Sequence, residues 1–413
     1  MTKIKAQQKK SNIPLILMMF GIVMFGLVIL YSVSGPAGYA KSVHDSAYYL
    51  KRQILWTVVG LIVALVISFI PVNFFKHPVI FFSAYFVSLG LAIAVRLFGS
   101  EINGAKRWIL IGTWEFQPSE LCKIGLIVAL AGYREYIVRM RAQGKLQAKT
   151  GKSQAWNHAF FDFIIPVAAC LLVDVFILFE PHFSCFLIIG VVVFMCTLNS
   201  GAGIRAWILG GLSILLVGVI LGAAYIAINP NFRKNFAHVY QRLNVFAATS
   251  GDEEAEVTED DTRQVTNAHN ALGSGGMWGR GLGSSRAKYN YVSEAQNDYI
   301  FSIYIEETGF VGGLILIGLY MIMFVMCVRV IWKARGLFAR TVATGCTALI
   351  FIEVLLNLAV ELQVIPSTGV TLPFISYGGT AQIFLMTAYG FILSVSRYAT
   401  GPAPETKKKG AGA

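Results

Sequence analysis

The stretch Asn297–Trp332, NDYIFSIYIEETGFVGGLILIGLYMIMFVMCVRVIW, decides the class of this fold. Between Phe310 and Val328 it carries no Asp, Glu, Lys, Arg or His, and about 20 mostly apolar residues in helical form cross the hydrocarbon core of a bilayer. The rest of the chain agrees. Of its 413 residues 56% are hydrophobic and only 14% charged, whereas a soluble domain carries about 25% charge. The net charge of +12 does not indicate nucleic-acid binding, because the cations cluster beside apolar runs, as flanking charges of membrane spans do.

Ten runs meet the length rule, near 13–34, 54–72, 78–98, 119–138, 161–179, 183–199, 204–228, 299–332, 341–364 and 380–397. The expectation is an all-α polytopic membrane protein with both termini on one side. Lys3, Lys5, Lys9, Lys10, Arg139, Arg141, Lys145, Lys149, Lys152 and Lys407–Lys409 outweigh Lys41, Lys51, Arg52, Lys106 and Arg107 on the other side. By the positive-inside rule the termini are cytoplasmic. Residues 1–12 and 399–413 form basic cytoplasmic tails around a membrane domain at 13–398, and 229–298 is one long extracytoplasmic segment between spans seven and eight. The first run is too long for a signal-peptide core and reads as a retained anchor, cleavage after Ala37–Ala40 being the alternative. The acidic stretch Gly251–Asp261 repels itself and is expected to be mobile and solvated, a calcium site being the alternative. The six cysteines lack metal spacing and read as buried hydrophobes.

Ionisable groups within spans are costly and are functional candidates. Glu120 and Lys123, three apart, share a helix face and read as an internal ion pair or as support for a polar cavity. Asp298 lies at the outer mouth of the eighth span, with Glu306 about 12 Å deeper. Asp298 has two readings, a helix N-cap or a carboxylate meeting a substrate from the water side. Lys106 and Arg107, beside Trp108, are interfacial anchors or phosphate ligands. The segment PSTGVTLPFISYGG, with Pro366, Gly369, Pro373, Ser376, Tyr377, Gly378 and Gly379, cannot be an ordinary helix. At membrane depth such backbone persists only where it is covered or lines a cavity.

Five segments in order, Asn103–Ile109 (NGAKRWI), Gln117–Lys123 (QPSELCK), Gly273–Ser285 (GSGGMWGRGLGSS), Asn297–Gly312 and Pro366–Gly379, resemble the SEDS family (shape, elongation, division and sporulation), the RodA/FtsW/SpoVE-like membrane proteins. The wording TLPFISYGG and NDYIF leans to the FtsW/SpoVE branch. The resemblance implies a peptidoglycan glycosyltransferase acting on lipid II, with Asp298 matching the family's essential aspartate and Glu120 and Lys123 its charged pair. It also implies a class B penicillin-binding transpeptidase as partner. The chain departs from the family at Glu180–Ser184 (EPHFS for a QPDLG-like turn), at Thr308, at Gln296, at Thr380–Ala381 and at Glu361.

The chemistry so implied needs a base for the acceptor hydroxyl and positive charge for a leaving pyrophosphate. Asp298 is the expected base. Lys106, Arg107, Arg286 and Lys288 are the expected phosphate ligands, with or without a divalent cation (Mg or Mn). Two rivals remain, a lipid II flippase using Glu120, Lys123, Glu306 and Glu353, and a non-catalytic scaffold for the transpeptidase.

Overall fold

The computed structural model describes residues 12–400 apart from 42–43, 103–104, 113, 147–151, 179, 181–182, 200–203, 229–236, 250–258, 290–291 and 293–294. The basic tails and most of the acidic stretch therefore lie outside the described residues. The helices follow the apolar runs. They are α1 (Ile13–Lys41), α2 (Tyr48–Phe69), α3 (Pro78–Phe98), α4 (Pro118–Ala142), α5 (Lys152–Ala159), α6 (Ile165–Leu178), α7 (Phe183–Leu198), α8 (Ile204–Ile228), α9 (Ala237–Thr249), α10 (Glu259–Ser274), α11 (Ile300–Lys333), α12 (Leu337–Glu361) and α13 (Gly379–Tyr398). Pro78 and Pro118 stand in the first turn of α3 and α4, where the missing N–H had no helical partner to lose.

Seven helical stretches among the described residues are long and apolar enough to cross a membrane. One of them, Ser153–Leu178, runs from α5 through a π-helical turn at Phe160–Ile164 into α6. Two shorter apolar helices, Phe183–Leu198 and Ile204–Val219, and the charge-bearing α4 fall on the three remaining runs of the sequence. The chain is a multi-pass, all-α membrane protein. Leu17, Val58, Phe86, Leu97, Leu216 and Ile322 point outward from their helices, a surface that only lipid satisfies.

The centre of the bundle is α12 and α13, the most buried of these helices. Helix α13 lies along α2 so closely that a Cβ on Gly390 would stand 2.8 Å from the Ala64 backbone. Such small-residue contacts drive packing where lipid removes the hydrophobic effect between helices. Helix α4 is wedged between α3 and α12. At its C-terminal end buried Arg134 and half-buried Arg141 grip Asp162 of the π turn at 3.2 and 2.7 Å, with His158 on the same carboxylate at 2.7 Å.

Two stretches expected to be loop are built instead. Between α3 and α4 the chain forms an antiparallel meander, β1 (Ser100–Ile102), β2 (Ala105–Ile111) and β3 (Trp114–Phe116). The segment after α8 contains α9 and α10, and Glu259, Asp260 and Asp261 open α10. Acidic residues suit a helix N-terminus, so this end of the acidic stretch is helix rather than the mobile coil its composition suggests.

The eighth run is not one straight helix. Gly309 breaks α11 with φ 73° and ψ −175°, a conformation essentially confined to glycine. The glycine-rich segment after α10 enters the break. Arg280 and Gly281 donate to the carbonyls of Glu306 and Glu307, while Phe310 and Val311 donate to those of Gly276 and Met277. A Cβ on Gly279 would lie 2.2 Å from the Glu307 carbonyl oxygen, so the two backbones meet only because that position is bare.

Candidate active site

At one end of the bundle a cavity of about 350 Å³ opens between α2, β2, α4, α7, α12 and the segment joining α12 to α13. Asp298 lies on its wall, together with Arg107, Trp108, Glu120, Lys123 and Glu353.

Asp298 is placed by its backbone. Asn357 of α12 donates its one Nδ2 group to the Asp298 carbonyl at 3.0 Å and to the Val370 carbonyl at 2.9 Å. Two residues earlier, the Gln296 carbonyl accepts from the Tyr377 amide at 2.9 Å. The start of α11 is also held by a residue from another helix. Two first-turn amides of α11, Phe301 and Ser302, donate to Glu361 at 3.1 and 2.6 Å, and the Ser302 hydroxyl adds a third bond at 2.5 Å. The carboxylate of Glu361, brought from α12, meets the positive end of α11 and explains a charge that looked out of place in the sequence.

The floor of the cavity is ionic. Lys123 bonds Glu120 at 2.8 Å and also Glu353, all three buried. The expected pair is therefore a triad, closed by α12. Buried charges in this setting persist by pairing.

The phosphate candidates separate. Strand β2 places Arg107 on the cavity wall and leaves Lys106 exposed, opposite Glu101 in the β1–β2 register. Arg107 donates Nε to the Glu180 carbonyl at 3.1 Å. Burial, and then neighbouring Arg242, push its guanidinium down to about 10, still cationic at neutral pH. Burial pushes the Glu180 carboxyl up to about 8 against the pull of Arg107.

Arg286 and Lys288 do not reach this cavity. Arg286 is exposed. Lys288 is buried in an ion pair with Glu307 at 2.8 Å and donates to the Ser32 carbonyl at 3.1 Å. It edges a separate groove of about 730 Å³ beside α1. The break at Gly309 draws the glycine-rich segment, and the cations that follow it, onto Glu306 and Glu307 instead of towards Asp298.

The segment 366–379 divides its work. Gly369, Tyr377, Gly378 and Gly379 line the cavity. Pro373 and Ser376 brace the segment from behind, the Pro373 carbonyl accepting from Tyr320 at 2.5 Å and the Ser376 carbonyl from Gln53 at 3.2 Å. Pro366 is not part of the lining. Trp56, stacked edge-on against Trp114 at 5.2 Å, and Tyr377 against Tyr49 at 4.9 Å, form an aromatic wall.

Sequence reasoning missed Arg242, Asn357 and the role of Glu361. Arg242, on α9, donates to the Ser367 carbonyl at 3.0 Å. The pattern around it, HVYQRLNVF, has apolar residues at helical spacing and was the available signal. Among the described residues no three His, Cys, Asp or Glu side chains converge as a metal site. A divalent cation here would need most of its ligands from water or a bound molecule, with Asp298 on the same cavity wall.

Known proteins carry the same body. Residues 13–401 match the FtsW/RodA/SpoVE family profile, described as cell cycle protein. A protein of Trichlorobacter lovleyi named "Probable peptidoglycan glycosyltransferase FtsW" is 29% identical over 93% of each chain. Stage V sporulation protein E of Bacillus subtilis is 28% identical over 94% of this chain and 98% of its own. The crystal structure of the rod shape determining protein RodA of Thermus thermophilus superposes with a TM-score of 0.62 at 25% identity, covering 94% of this chain and 98% of that one. With the family profile spanning nearly its whole length and its motifs gathered around one cavity, the chain belongs to the FtsW/RodA/SpoVE (SEDS) family, on its FtsW and SpoVE side.

Proposed function

We propose that this chain is a peptidoglycan glycosyltransferase that polymerises lipid II into glycan strands at the outer face of the cytoplasmic membrane, with Asp298 as its base. The observation that carries the reading is the shared cavity. It sets a backbone-clamped carboxylate, Asp298, beside a cationic guanidinium, Arg107. The relatives' names and the family match support the same activity.

Transfer joins the 4-hydroxyl oxygen of the acceptor GlcNAc to C1 of the donor MurNAc. The C1–oxygen bond to the pyrophosphate breaks with inversion, and undecaprenyl pyrophosphate leaves. Asp298 takes the hydroxyl proton as the new bond forms. Arg107 holds the charge that develops on the departing phosphate. A divalent cation, where bound, would add Lewis-acid stabilisation at the same phosphates. Trp56, Trp108 and Trp114 give the sugars apolar faces and help to exclude water.

The topology that suits this chemistry has ten spans, both termini cytoplasmic and 229–298 as the long outer segment, which puts the cavity on the outer side. A class B penicillin-binding transpeptidase is the proposed partner, to crosslink the product. Neither rival function gains a specific observation, because Glu120, Lys123 and Glu353 engage one another and Glu306 and Glu307 are engaged with the glycine-rich segment.

The test uses purified protein, alone and with the transpeptidase, and labelled lipid II. Wild type is expected to yield polymer and Asp298→Asn none, while Lys106→Ala stays close to wild type. Polymer of ordinary yield and length from Asp298→Asn would end the proposal. A flippase would move labelled lipid between leaflets of liposomes without lengthening it.

A further inference from the structure

The segment 366–378 lies outside any helix or strand, so its buried carbonyls take their donors from elsewhere. Five side chains serve them. Arg242 of α9 donates to Ser367, Ser184 of α7 to Thr368, Asn357 of α12 to Val370, Tyr320 of α11 to Pro373 and Gln53 of α2 to Ser376. Asn357 adds a second bond from the same Nδ2, to the Asp298 carbonyl. One amide thus ties together two stretches of cavity wall, Asn297–Asp298 and Gly369–Thr371.

The two bonds meet where the chemistry is proposed. Asp298 Oδ2 lies 3.7 Å from the point where a Cβ on Gly369 would stand, so the carboxylate stands over bare backbone. Asn357 holds the carbonyls of Asp298 and of Val370, the residue after Gly369, and so fixes this approach from behind. An asparagine suits the task, because Nδ2 carries two N–H groups, one for each carbonyl at 3.0 and 2.9 Å. A leucine of similar size supplies neither, and an aspartate sets its charge against two carbonyl oxygens. Asn357 also stands between Glu353 and Glu361, one helical turn from each, on the same side of α12. Glu353 holds Lys123 at the cavity floor, and Glu361 holds the first turn of α11. Floor, base and following helix are therefore referred to one stiff element, which places a site more precisely than a loop does.

We propose that Asn357 is a positioning residue for the transfer, its forked amide setting the Asp298 carboxylate against the Gly369–Val370 backbone and so aiming the base at the acceptor hydroxyl. This deepens the transferase reading and rests on it for the role of Asp298. Asn357 is not part of the cavity lining, so it acts through Asp298 and not on the substrate. A base displaced by about 1 Å loses on the order of 10²-fold in rate.

The experiment measures turnover and KM with labelled lipid II on purified full-length protein, with rates normalised to the folded fraction. Asn357→Leu is expected to lose about 10²-fold in turnover. Its KM should stay within about threefold of wild type, the pattern of an interaction used in the transition state alone. Asn357→Gln keeps both donors on a longer arm and should recover to about three- to tenfold below wild type. Tyr389→Phe is the control. It removes a buried bond to the Leu15 carbonyl outside the cavity lining, and its folded fraction should turn over at the wild-type rate. Folded Asn357→Leu with wild-type turnover, or with a raised KM in place of a lowered turnover, overturns the proposal. Should that variant not fold, Asn357→Gln decides, and wild-type turnover from it is the overturning result. Polymer of ordinary yield from Asp298→Asn sinks the transferase reading and the positioning role with it. An inactive Asp298→Asn beside a fully active Asn357→Leu sinks the positioning role alone.

Discussion

Asp298 and the pair Glu306–Glu307 lie within ten residues of one another, and by residue type they are equal candidates for chemistry. Their surroundings differ. The carboxylate of Glu306 accepts from the Ser285 hydroxyl at 2.5 Å and from the amides of Arg286 and Ala287 at 3.1 and 3.2 Å. Glu307 accepts from Ser32 at 2.5 Å and Lys288 at 2.8 Å. Both are buried, and both serve to hold a glycine-rich segment in a broken helix. Asp298 is held by its main chain, and it lies on a cavity wall. In a chain so poor in charge, a carboxylate is informative less by being present than by whether it lies on a cavity wall or holds another segment in place.

The sharpest way to break this contrast is to neutralise each carboxylate in turn. Asp298→Asn is expected to cut polymerisation by at least about 10²–10⁴, the range for a lost general base, with the melting temperature of the purified protein almost unmoved. Glu307→Gln leaves the Lys288 ammonium buried without its counter-charge and is expected to cost about 3–5 kcal/mol, read as a lower melting temperature and a lower yield of folded protein. Should Glu307→Gln melt like wild type and lose only turnover, the division into structural and catalytic carboxylates collapses. Lys123→Met carries the contrast to the cavity floor. It strands Glu120 and Glu353 together, so a loss of about 3–5 kcal/mol is expected, partly recovered by pairing it with Glu353→Gln.

The spans were legible because lipid imposes a simple rule on length and composition, and every expected run falls on a helix. What stayed hidden follows rules of shorter range. The strands flanking β2 are only three residues long and leave almost no pattern, so the meander, and with it the different settings of Lys106 and Arg107, could not be read from the adjacent letters KR. Glu361 looked anomalous because its role depends on α12 delivering it to the start of α11, some sixty residues away in sequence. Arg242 was hidden for a similar reason, since its helix adjoins acidic residues whose composition masks the local periodicity. The break in α11 was legible only in part. At 34 residues the helix is longer than one crossing needs, but the place of its break rests on Gly309 meeting Gly279.

A smaller effect tests that break. Gly309→Ala forces a side chain into a glycine-only conformation, with its Cβ 2.4 Å from the Gly279 nitrogen. The backbone alone should cost about 1–3 kcal/mol. Because the break holds Glu306 and Glu307 and not Asp298, the loss should appear first in melting temperature and only secondarily in the affinity for lipid II. A variant that melts normally but binds substrate poorly would mean that the broken helix shapes the cavity directly.

The finest test concerns Glu180, a third carboxyl that fits neither class. It is buried against Arg107, with one oxygen lacking a hydrogen-bond partner, and its pKa is raised from an ordinary 4.5 to about 8. Below pH 4.5 the folded and unfolded chains both hold this proton, so the group contributes no pH dependence. Between 4.5 and 8 the unfolded chain gives the proton up while the folded chain keeps it. Stability therefore falls as pH rises through that window, by at most about 1.4 kcal/mol per unit, and levels off above it. Glu180→Gln preserves the carbonyl that accepts from Arg107 and removes the titration, so wild type should lose ground to the variant steadily from pH 5 to pH 8 in melting experiments. A gap between the two that stays constant across this range would mean that Glu180 is ionised throughout. Arg107 would then already be neutralised, and Asp298 would no longer be the carboxylate that balances the guanidinium beside the substrate.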